Sequence, residues 1–307
     1  MLETLLAEYP VRLTNLDKLL WPEAGITKSA YIEYVIRMAA YLLPHLKDRP
    51  LTLVRFPHGV SGKSFYQKNA PPDTPEWVAT YPVYSAESKR VVHYILANNT
   101  ATLIWLANQA CIELHPWYSK IQAPNNPTNI AIDLDPSVPG FEKIKHTAFL
   151  IKEILDDLQM PSYPKTSGAT GLQIFIPLRP GFSFEQTRKV TKFIAHFMAH
   201  QYPDLVTVER LVKNRGDKIY IDYLQHAPHK TLVAPYSPRP HPDAKVSAPL
   251  TWRELAQGAV PEDFTIRTMP ERVQQVGDLF QPMEQAGIDI TEILHFIENH
   301  PYFDVPY

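Results

Sequence analysis

The chain has 307 residues, of which 45% are hydrophobic, and a formal net charge of −2. This length and composition allow an ordinary globular core, and the charge argues against a uniformly basic coat. Cys111 is the single cysteine, which excludes an intramolecular disulfide and a cysteine-rich zinc site and is typical of a reducing compartment. No leader sequence and no apolar run of about 20 residues occurs, so we expect a cytoplasmic protein without a membrane segment.

Positive charge is concentrated in two stretches. Residues 1–70 carry nine Lys/Arg against six Asp/Glu, and residues 181–245 carry ten against six. Residues 251–307 carry three against ten. The first two stretches could face phosphate groups and the last could not, although charge runs are usually only solvated faces.

The predicted elements alternate irregularly along the chain. After Thr27, a candidate N-cap, apolar residues recur at the helical spacing of one core-facing stripe; they are Ile32, Val35, Ile36, Ala39, Ala40 and Leu43. The same periodicity predicts helices over residues 99–111, 142–158, 185–201 and 284–299. Strand-like runs occupy residues 51–56, 129–135, 172–178 and 218–224. This interleaving predicts the α+β class, with mixed or antiparallel sheets.

Three carboxylates stand out within the predicted strands. In NIAIDLDP, the alternation of side chains places Asp133 and Asp135 on one face, and Pro136 is expected to end the strand. Paired carboxylates are oxygen ligands of the kind that Mg²⁺ and Mn²⁺ prefer. In KIYIDYL, Asp222 is an isolated charge that needs a Lys, an Arg or a metal ion as partner. On neighbouring strands the three would form a two-metal site; a D-x-D pair alone is more often a solvated edge or a salt-bridging pair.

A glycine-containing turn precedes one of the predicted strands. In PKTSGATGLQIF, Ser167, Gly168 and Gly171 could present backbone N–H groups to a triphosphate. An ordinary hairpin turn is the alternative.

Arginines flank the strand that carries Asp222, with Arg215 before it and Arg239 after it. Guanidinium groups bind phosphate in a bidentate manner, although salt bridges at the surface are the default interpretation. His115, in ELHPW, precedes the aspartate pair and is by default a packed core histidine.

In their order along the chain, these segments resemble the polymerase domain of the bacterial ligase D family, an archaeo-eukaryotic primase type of polymerase used in non-homologous end joining. The resemblance covers nearly the whole chain, and its motifs are LTNLDKLLWP, GITK, RFPHGVSGKSFYQKNAP, WLANQACIELHPW, IAIDLDP, KTSGATGLQIF, IYIDYLQ, APYSPRP and VSAPLTWREL. It implies a single primase-polymerase domain: a primase-like catalytic core (111–250) with a packed N-terminal DNA-end-binding module (1–110) and a C-terminal helical tail (251–307).

The resemblance also implies roles for particular residues. Asp133, Asp135 and Asp222 would be the catalytic residues and would hold Mn²⁺ or Mg²⁺, with two ions expected. Residues around the incoming nucleotide would be His115, Ser167, Gly168, Thr170, Gln173, Arg215, Gln225 and Arg239. Residues at the DNA end would be Asn15, Lys18, Lys28, Phe65 and Tyr66.

Two of these DNA-binding roles have physical support in the sequence. Lys18 and Lys28 match the pair that holds a 5′-phosphate, and Lys28 directly follows the candidate N-cap, where free N–H groups and the helix dipole attract anions. Phe65 and Tyr66 match the aromatic pair that stacks on the template strand, with a buried core pair as the alternative.

Two positions depart from the family pattern. Thr170 stands where a lysine is usual and Gln173 where a histidine is usual, and both changes remove phosphate contacts. Loss of one charge-assisted contact costs about 1.5–3 kcal/mol, so we expect weakened polymerisation. Lys165 or Lys230 could replace the missing charge.

The resemblance implies a metal-dependent nucleotidyl transferase that adds NTP or dNTP to the 3′-hydroxyl of gapped or broken DNA during end-joining repair. Because the chain contains neither ligase nor nuclease sequence, we expect a stand-alone, nucleoid-associated form that relies on Ku and a separate ATP-dependent DNA ligase. Two alternatives stay open: a non-catalytic DNA-end-binding module with a decayed nucleotide pocket, and a metal-dependent phosphohydrolase.

Overall fold

The computed structural model describes residues 8–86 and 88–300. The α-helices in this part of the chain are α1 (Lys28–Leu46), α2 (Thr100–Asn108), α3 (Glu142–Asp157), α4 (Phe184–Gln201), α5 (Trp252–Ala256), α6 (Met269–Val276) and α7 (Thr291–Asn299). The strands are β1 (Leu19–Trp21), β2 (Ile26–Thr27), β3 (Leu51–Arg55), β4 (Phe65–Gln67), β5 (Thr80–Ser85), β6 (Arg90–Ile95), β7 (Cys111–Pro116), β8 (Asn129–Pro136), β9 (Tyr163–Thr166), β10 (Leu172–Pro177), β11 (Val206–Thr207) and β12 (Ile219–Ile221).

The sheets are antiparallel apart from one pair. The strand orders are β1-β2, β4-β3-β7, β5-β6 and β11-β12-β8-β10-β9. Strands β11 and β12 are parallel, which makes the five-stranded sheet mixed. The predicted α+β class with mixed and antiparallel sheets is therefore confirmed.

The chain folds into two compact units. The first contains residues 1–122, 231–248 and 262–277, and the second contains residues 123–230, 249–261 and 278–307. The division predicted from the sequence, into a module (1–110), a core (111–250) and a tail (251–307), stays a prediction. Residues 1–7 of that module and 301–307 of that tail lie outside the described residues.

Helix α1 buries a stripe that overlaps the predicted one, because Ile32, Val35 and Ala39 are buried. Thr27 caps it as predicted, because its hydroxyl accepts from the N–H of Ala30 at 3.2 Å. Ala40, however, is exposed, and the buried face includes Tyr31 and Tyr34. Their hydroxyls donate to backbone carbonyls at 2.5 and 2.7 Å, so these polar rings can lie in the core.

The five-stranded sheet is the frame of the second unit. The β8 side chains Ile130, Ile132 and Leu134 are fully buried, as the alternation predicts. Helices α3 and α4 both contact this strand. Asp133 and Asp135 are half-buried and therefore share the opposite face.

Several helix and strand boundaries differ from the predicted ones, each for a local reason. Strand β12 ends at Ile221 rather than at residue 224, because Asp222 caps a 3₁₀ turn, Tyr223–Gln225. Strand β8 includes Pro136 and pairs it with Ile219. Helix α2 ends before residue 111, and Ala110 has a φ of 55°.

The predicted helix over residues 284–299 begins only at Thr291. Before it, Ile288 forms a β-bridge to Leu178. A Cβ at Gly287 would lie 2.8 Å from the Leu178 carbonyl oxygen, so the chain approaches β10 too closely for a helix. Across the described ranges, no helix has the length and apolar character that crossing a bilayer requires.

Candidate active site

The register of the five-stranded sheet brings the three predicted carboxylates together. Strand β10 places Gln173 opposite Asp133, and β12 places Tyr220 opposite Asp135. One residue beyond β12, the backbone N–H of Asp222 donates to the carbonyl of Asp133 at 3.0 Å. Residues almost 90 positions apart thus converge on β8.

Asp133 lies in a strongly perturbed electrostatic environment. Its pKa is raised to about 7, first by burial and then by the negative charge of Asp135, with a smaller contribution from Asp222. A hydrogen bond from Gln173 and the charge of Lys165 act in the opposite direction. Burial and the neighbouring negative charges therefore disfavour the ionised form of Asp133. The ligand atoms that the three aspartates offer are all oxygens, which Mg²⁺ and Mn²⁺ prefer.

The three carboxylates are close together but are not arranged as a complete set of metal ligands. In the part of the chain that the structure describes, no group of three or more His, Cys, Asp or Glu side chains is arranged to hold a metal ion. One oxygen of Asp222, Oδ1, accepts hydrogen bonds from the Tyr220 hydroxyl and from the Gln225 N–H, both at 3.1 Å. The residues fit the expected ions by chemistry and proximity, and the metal-binding role stays a prediction.

The glycine turn between β9 and β10 is organised by Ser167. The serine hydroxyl accepts from the N–H groups of Ala169 and Gly171 at 3.2 and 3.0 Å. Two N–H groups of the predicted phosphate cradle are therefore already engaged. Gly168 is buried with a φ of 71°, and Thr170 is exposed.

Gly171 holds this turn against the carboxylate strand. A Cβ at this position would lie 2.6 Å from the Leu134 carbonyl oxygen and 3.3 Å from Oδ1 of Asp135. Real Cβ atoms essentially never approach a backbone atom as closely as the first of these distances. Glycine is thus required for the turn to pack beside Asp135.

Gln173 and Lys165 form a chain of hydrogen bonds that ends on Asp133. The amide nitrogen Nε2 of Gln173 donates to Oδ1 of Asp133 at 3.1 Å. The ammonium group of Lys165 donates to Oε1 of Gln173 at 2.6 Å. Lys165 is fully buried behind Gln173, so it cannot replace the missing phosphate contact at the surface. Lys230, the other lysine considered for that role, is exposed.

Arg215 and Gln225, two predicted nucleotide contacts, border Asp222. The Arg215 guanidinium donates to the carbonyls of Glu209 and Arg210 at 2.8 and 2.7 Å. It also lies 3.7 Å from the centroid of the Tyr220 ring. Arg215 therefore holds its own loop and stacks on the tyrosine whose hydroxyl is bonded to Asp222.

In the first unit, Glu113 joins two predicted nucleotide-binding residues. Its Oε1 is 2.8 Å from Nε of Arg239, and its Oε2 is 3.1 Å from Nε2 of His115. Burial acts to raise the pKa of Glu113, but the His115 hydrogen bond and the Arg239 charge outweigh it and lower the pKa. Sequence reasoning missed Glu113; the signal was a charged residue in the apolar run CIEL.

Lys18 and Lys28 lie close together, as predicted. Burial and then the charge of Lys18 lower the pKa of Lys28. The Lys28 ammonium donates to the Thr14 carbonyl at 2.6 Å, and that of Lys18 donates to the Pro57 carbonyl. The carbonyl of Asn15, a residue with a φ of 51°, accepts the Lys18 N–H at 3.1 Å, so Asn15 and Lys18 share one turn beside the start of α1.

The helix end beside this loop is not the open anion site that the sequence predicts. The N–H groups of Lys28 and Ser29 donate to the carbonyls of Lys18 and Leu16 at 2.8 and 3.0 Å. Thr27 accepts the next free N–H. The expectation of free N–H groups was wrong, because the loop docks over the first turn and uses its donors.

Phe65 and Tyr66 lie on β4, an edge strand of its sheet. Their side chains are 44% and 73% exposed, which excludes the alternative of a buried core pair. The guanidinium carbon of Arg55 lies 5.3 Å from the centroid of the Phe65 ring. The two rings are therefore available at the surface for stacking.

The chain is similar to proteins of bacterial end joining. The family model described as "LigD, primase-polymerase domain" matches residues 27–280. The "Bifunctional non-homologous end joining protein LigD" of Bacillus subtilis is 40% identical, over 94% of this chain and 47% of its own length. A "Multifunctional non-homologous end joining protein LigD" of Mycolicibacterium smegmatis is 31% identical, over 89% of this chain and 36% of its own. The chain thus spans about half or less of these relatives.

A solved structure supports the same relationship. The "Polymerase Domain from Mycobacterium tuberculosis Ligase D in complex with DNA" superposes with a TM-score of 0.83 at 29% identity. The match covers 91% of this chain and 99% of that chain. With the family match and the sequence identities, this means that the chain belongs to the ligase D primase-polymerase family.

Proposed function

We propose that this chain is a metal-dependent nucleotidyl transferase that adds ribo- or deoxyribonucleotides to the 3′-hydroxyl of gapped or broken DNA in end-joining repair. The observation that carries the proposal is the convergence of Asp133, Asp135 and Asp222 around β8, in a member of a polymerase family. A neighbour of known structure is a polymerase domain in complex with DNA. That complex supports DNA as the partner of this chain.

The three aspartates would hold Mn²⁺ or Mg²⁺, with two ions expected. When bound, such ions lower the pKa of an attacking hydroxyl and neutralise charge on the transferring phosphate. The carboxylates themselves need no proton transfer to a substrate atom and no covalent intermediate. Their role is to bind the metal ions, which requires three carboxylates close together. The raised pKa of Asp133 reflects the electrostatic cost of this arrangement.

The predicted nucleotide contacts in the second unit lie around these carboxylates. Gln173 and Gln225 each donate to one of the aspartates. Ser167 shapes the adjoining turn. In this proposal they position the triphosphate relative to the acidic cluster, and catalysis consists of positioning and charge neutralisation.

The DNA end would be bound by the first unit. Lys18 is half-buried and supplies the direct contact to a 5′-phosphate, while the buried Lys28 adds charge behind it. Each ammonium carries three donors, so the observed bonds to carbonyls leave donors for an anion. Exposed Phe65 and Tyr66 would stack on bases, worth about 1–3 kcal/mol per base.

The partners beyond DNA follow from the family alone. Ku and an ATP-dependent DNA ligase are proposed because relatives are named for non-homologous end joining. Pull-down of the chain with Ku on a DNA end is the corresponding test.

The decisive experiment is extension of a gapped, 5′-phosphorylated duplex with NTP or dNTP and Mn²⁺ or Mg²⁺. We expect the unaltered chain to extend the primer and Asp133→Asn to abolish extension while DNA binding, measured by fluorescence anisotropy, stays within about twofold. Intact binding without extension by the unaltered chain would support the end-binding module instead. Loss of primer ends, or release of inorganic phosphate, would support the phosphohydrolase.

A further inference from the structure

Lys165 is a buried lysine on strand β9 of the five-stranded sheet. Its exposed fraction is 0%. Its ammonium group lies 5.7 Å from the centroid of the Phe175 ring and 2.6 Å from Oε1 of Gln173. Buried lysines are rare because desolvation of the ammonium is costly. Gln173 in turn donates to Asp133 of the acidic cluster.

The contact with Lys165 fixes the orientation of the Gln173 amide. A glutamine side chain has an oxygen that accepts and a nitrogen that donates, and an ammonium group only donates. Lys165 therefore requires the oxygen on its side, which turns the NH₂ group of Gln173 toward Asp133. A flipped amide would set donor against donor at Lys165 and acceptor against acceptor at Asp133.

The glutamine also keeps the positive charge at a distance from the cluster. A lysine in direct contact with Asp133 would form an ion pair and would compete with a metal ion for the carboxylate. Through Gln173, Asp133 instead receives a neutral hydrogen bond on Oδ1 at 3.1 Å. The carboxylate is thus held in one orientation without a direct ion pair to Lys165.

We propose that Lys165 is a positioning residue, which acts through Gln173 to orient the Asp133 carboxylate for cation binding. This inference rests on the proposed function. Lys165 would not bind the metal ion itself but would help to orient a metal ligand through hydrogen bonds. Side chains that are hydrogen-bonded to metal ligands often have this role. Their removal commonly costs about 10–100-fold in metal affinity or activity.

The test is Lys165→Met, which removes the charge and keeps the length of the side chain. Binding of Mn²⁺ alone, measured by electron paramagnetic resonance of the free ion, should weaken about 10-fold or more. The kcat for primer extension should fall in the same range at saturating nucleotide, with little change in nucleotide KM. Binding to the DNA end should not change.

Lys245→Met is the matched control. Lys245 is also buried, at 5% exposure, and its ammonium group pairs with Glu262 in the first unit. Its backbone carbonyl accepts from the Arg239 N–H at 2.8 Å, a bond that a change of the Lys245 side chain leaves in place. Its loss should lower stability and leave Mn²⁺ affinity unchanged. Equal losses of Mn²⁺ affinity in both variants would overturn the proposal, because the effect would then be merely structural.

The double variant Lys165→Met/Gln173→Leu covers the case in which the single variant does not fold. It removes both buried polar partners together, which avoids leaving one of them unsatisfied. We expect it to bind Mn²⁺ as weakly as Lys165→Met. Affinity equal to that of the unaltered chain, in either variant, would overturn the proposal.

The same measurements separate this inference from the proposed function. If the unaltered chain binds Mn²⁺ but does not extend primers, the proposed function fails while the comparison of affinities still decides the role of Lys165. If the unaltered chain binds no Mn²⁺, both are overturned.

Discussion

Glu113 is a single residue on which two predicted nucleotide contacts depend. Its two carboxylate oxygens face His115 and Arg239, and its own side chain is almost completely buried. The one carboxylate therefore contacts both side chains at once. The sequence could predict His115 and Arg239 from the family motifs, but it could not predict the link, because Glu113 and Arg239 are far apart along the chain.

Replacement of Glu113 by glutamine should therefore weaken nucleotide binding. Glutamine keeps the shape but removes the charge that holds Arg239, so we expect KM for the nucleotide to rise roughly tenfold and stability to fall by about 1–3 kcal/mol. Steady-state extension kinetics and urea unfolding measure the two effects. Glu142→Gln, at an exposed ion pair, should cost no more than about 1 kcal/mol and is the control. An unchanged KM would contradict the prediction.

At the scale of elements, helix α4 is joined to the segment after β12 by a buried histidine. His226 is bonded to the Thr187 hydroxyl at 2.8 Å. That hydroxyl donates to helix carbonyls, so the histidine nitrogen Nε2 must be the donor. Burial and then the charge of Arg188 lower the pKa of His226 from 6.5 to about 3.

This histidine makes stability depend on pH. Between about pH 6.5 and 3, His226 is protonated in the unfolded chain but stays neutral in the folded chain. The free energy of unfolding that this residue contributes is therefore fully present above pH 6.5 and is lost as the pH falls toward 3. His226→Gln should reduce the slope of unfolding free energy against pH in this window by up to one proton. Urea unfolding at pH 7, 6, 5 and 4 measures it, with exposed His146→Gln as control. Equal slopes in all three proteins would count against the assignment.

Elements were predictable where a regular pattern decides the structure. Strand β8 follows from its alternation, and Asp133 and Asp135 take the predicted face. Asp222 was placed within a strand but caps a turn, because a local hydrogen bond to the Gln225 N–H ends the ladder. The periodicity of apolar residues cannot predict such side-chain hydrogen bonds. For the same reason it could not predict the contact between Lys165 and Gln173 across β9 and β10.

At the scale of the whole molecule, the net charge of −2 limits nonspecific binding to DNA. The proposed end contact uses the local pair Lys18 and Lys28 rather than a broad basic face. Binding of a 5′-phosphorylated end should therefore depend on salt with a shallow slope, with only a few phosphates neutralised.

Lys18→Gln should abolish the preference for a 5′-phosphate over a 5′-hydroxyl end and reduce the salt slope by about 1. Fluorescence anisotropy between low and moderate salt measures both quantities. Exposed Lys230→Gln, in the other unit, should change neither. A preference that survives in Lys18→Gln would show that the phosphate binds elsewhere.

The turn that carries Gly171 and Thr170 constrains its two residues very differently. Position 171 tolerates no side chain, since the strand carbonyl at Leu134 occupies the space, whereas position 170 points to solvent. The residue at position 170 can therefore change without disturbing the packing of the turn against β8. With the nucleotide contact that we propose for this turn, substitutions at 170 would change affinity for the substrate while the packing of Gly171 stays the same.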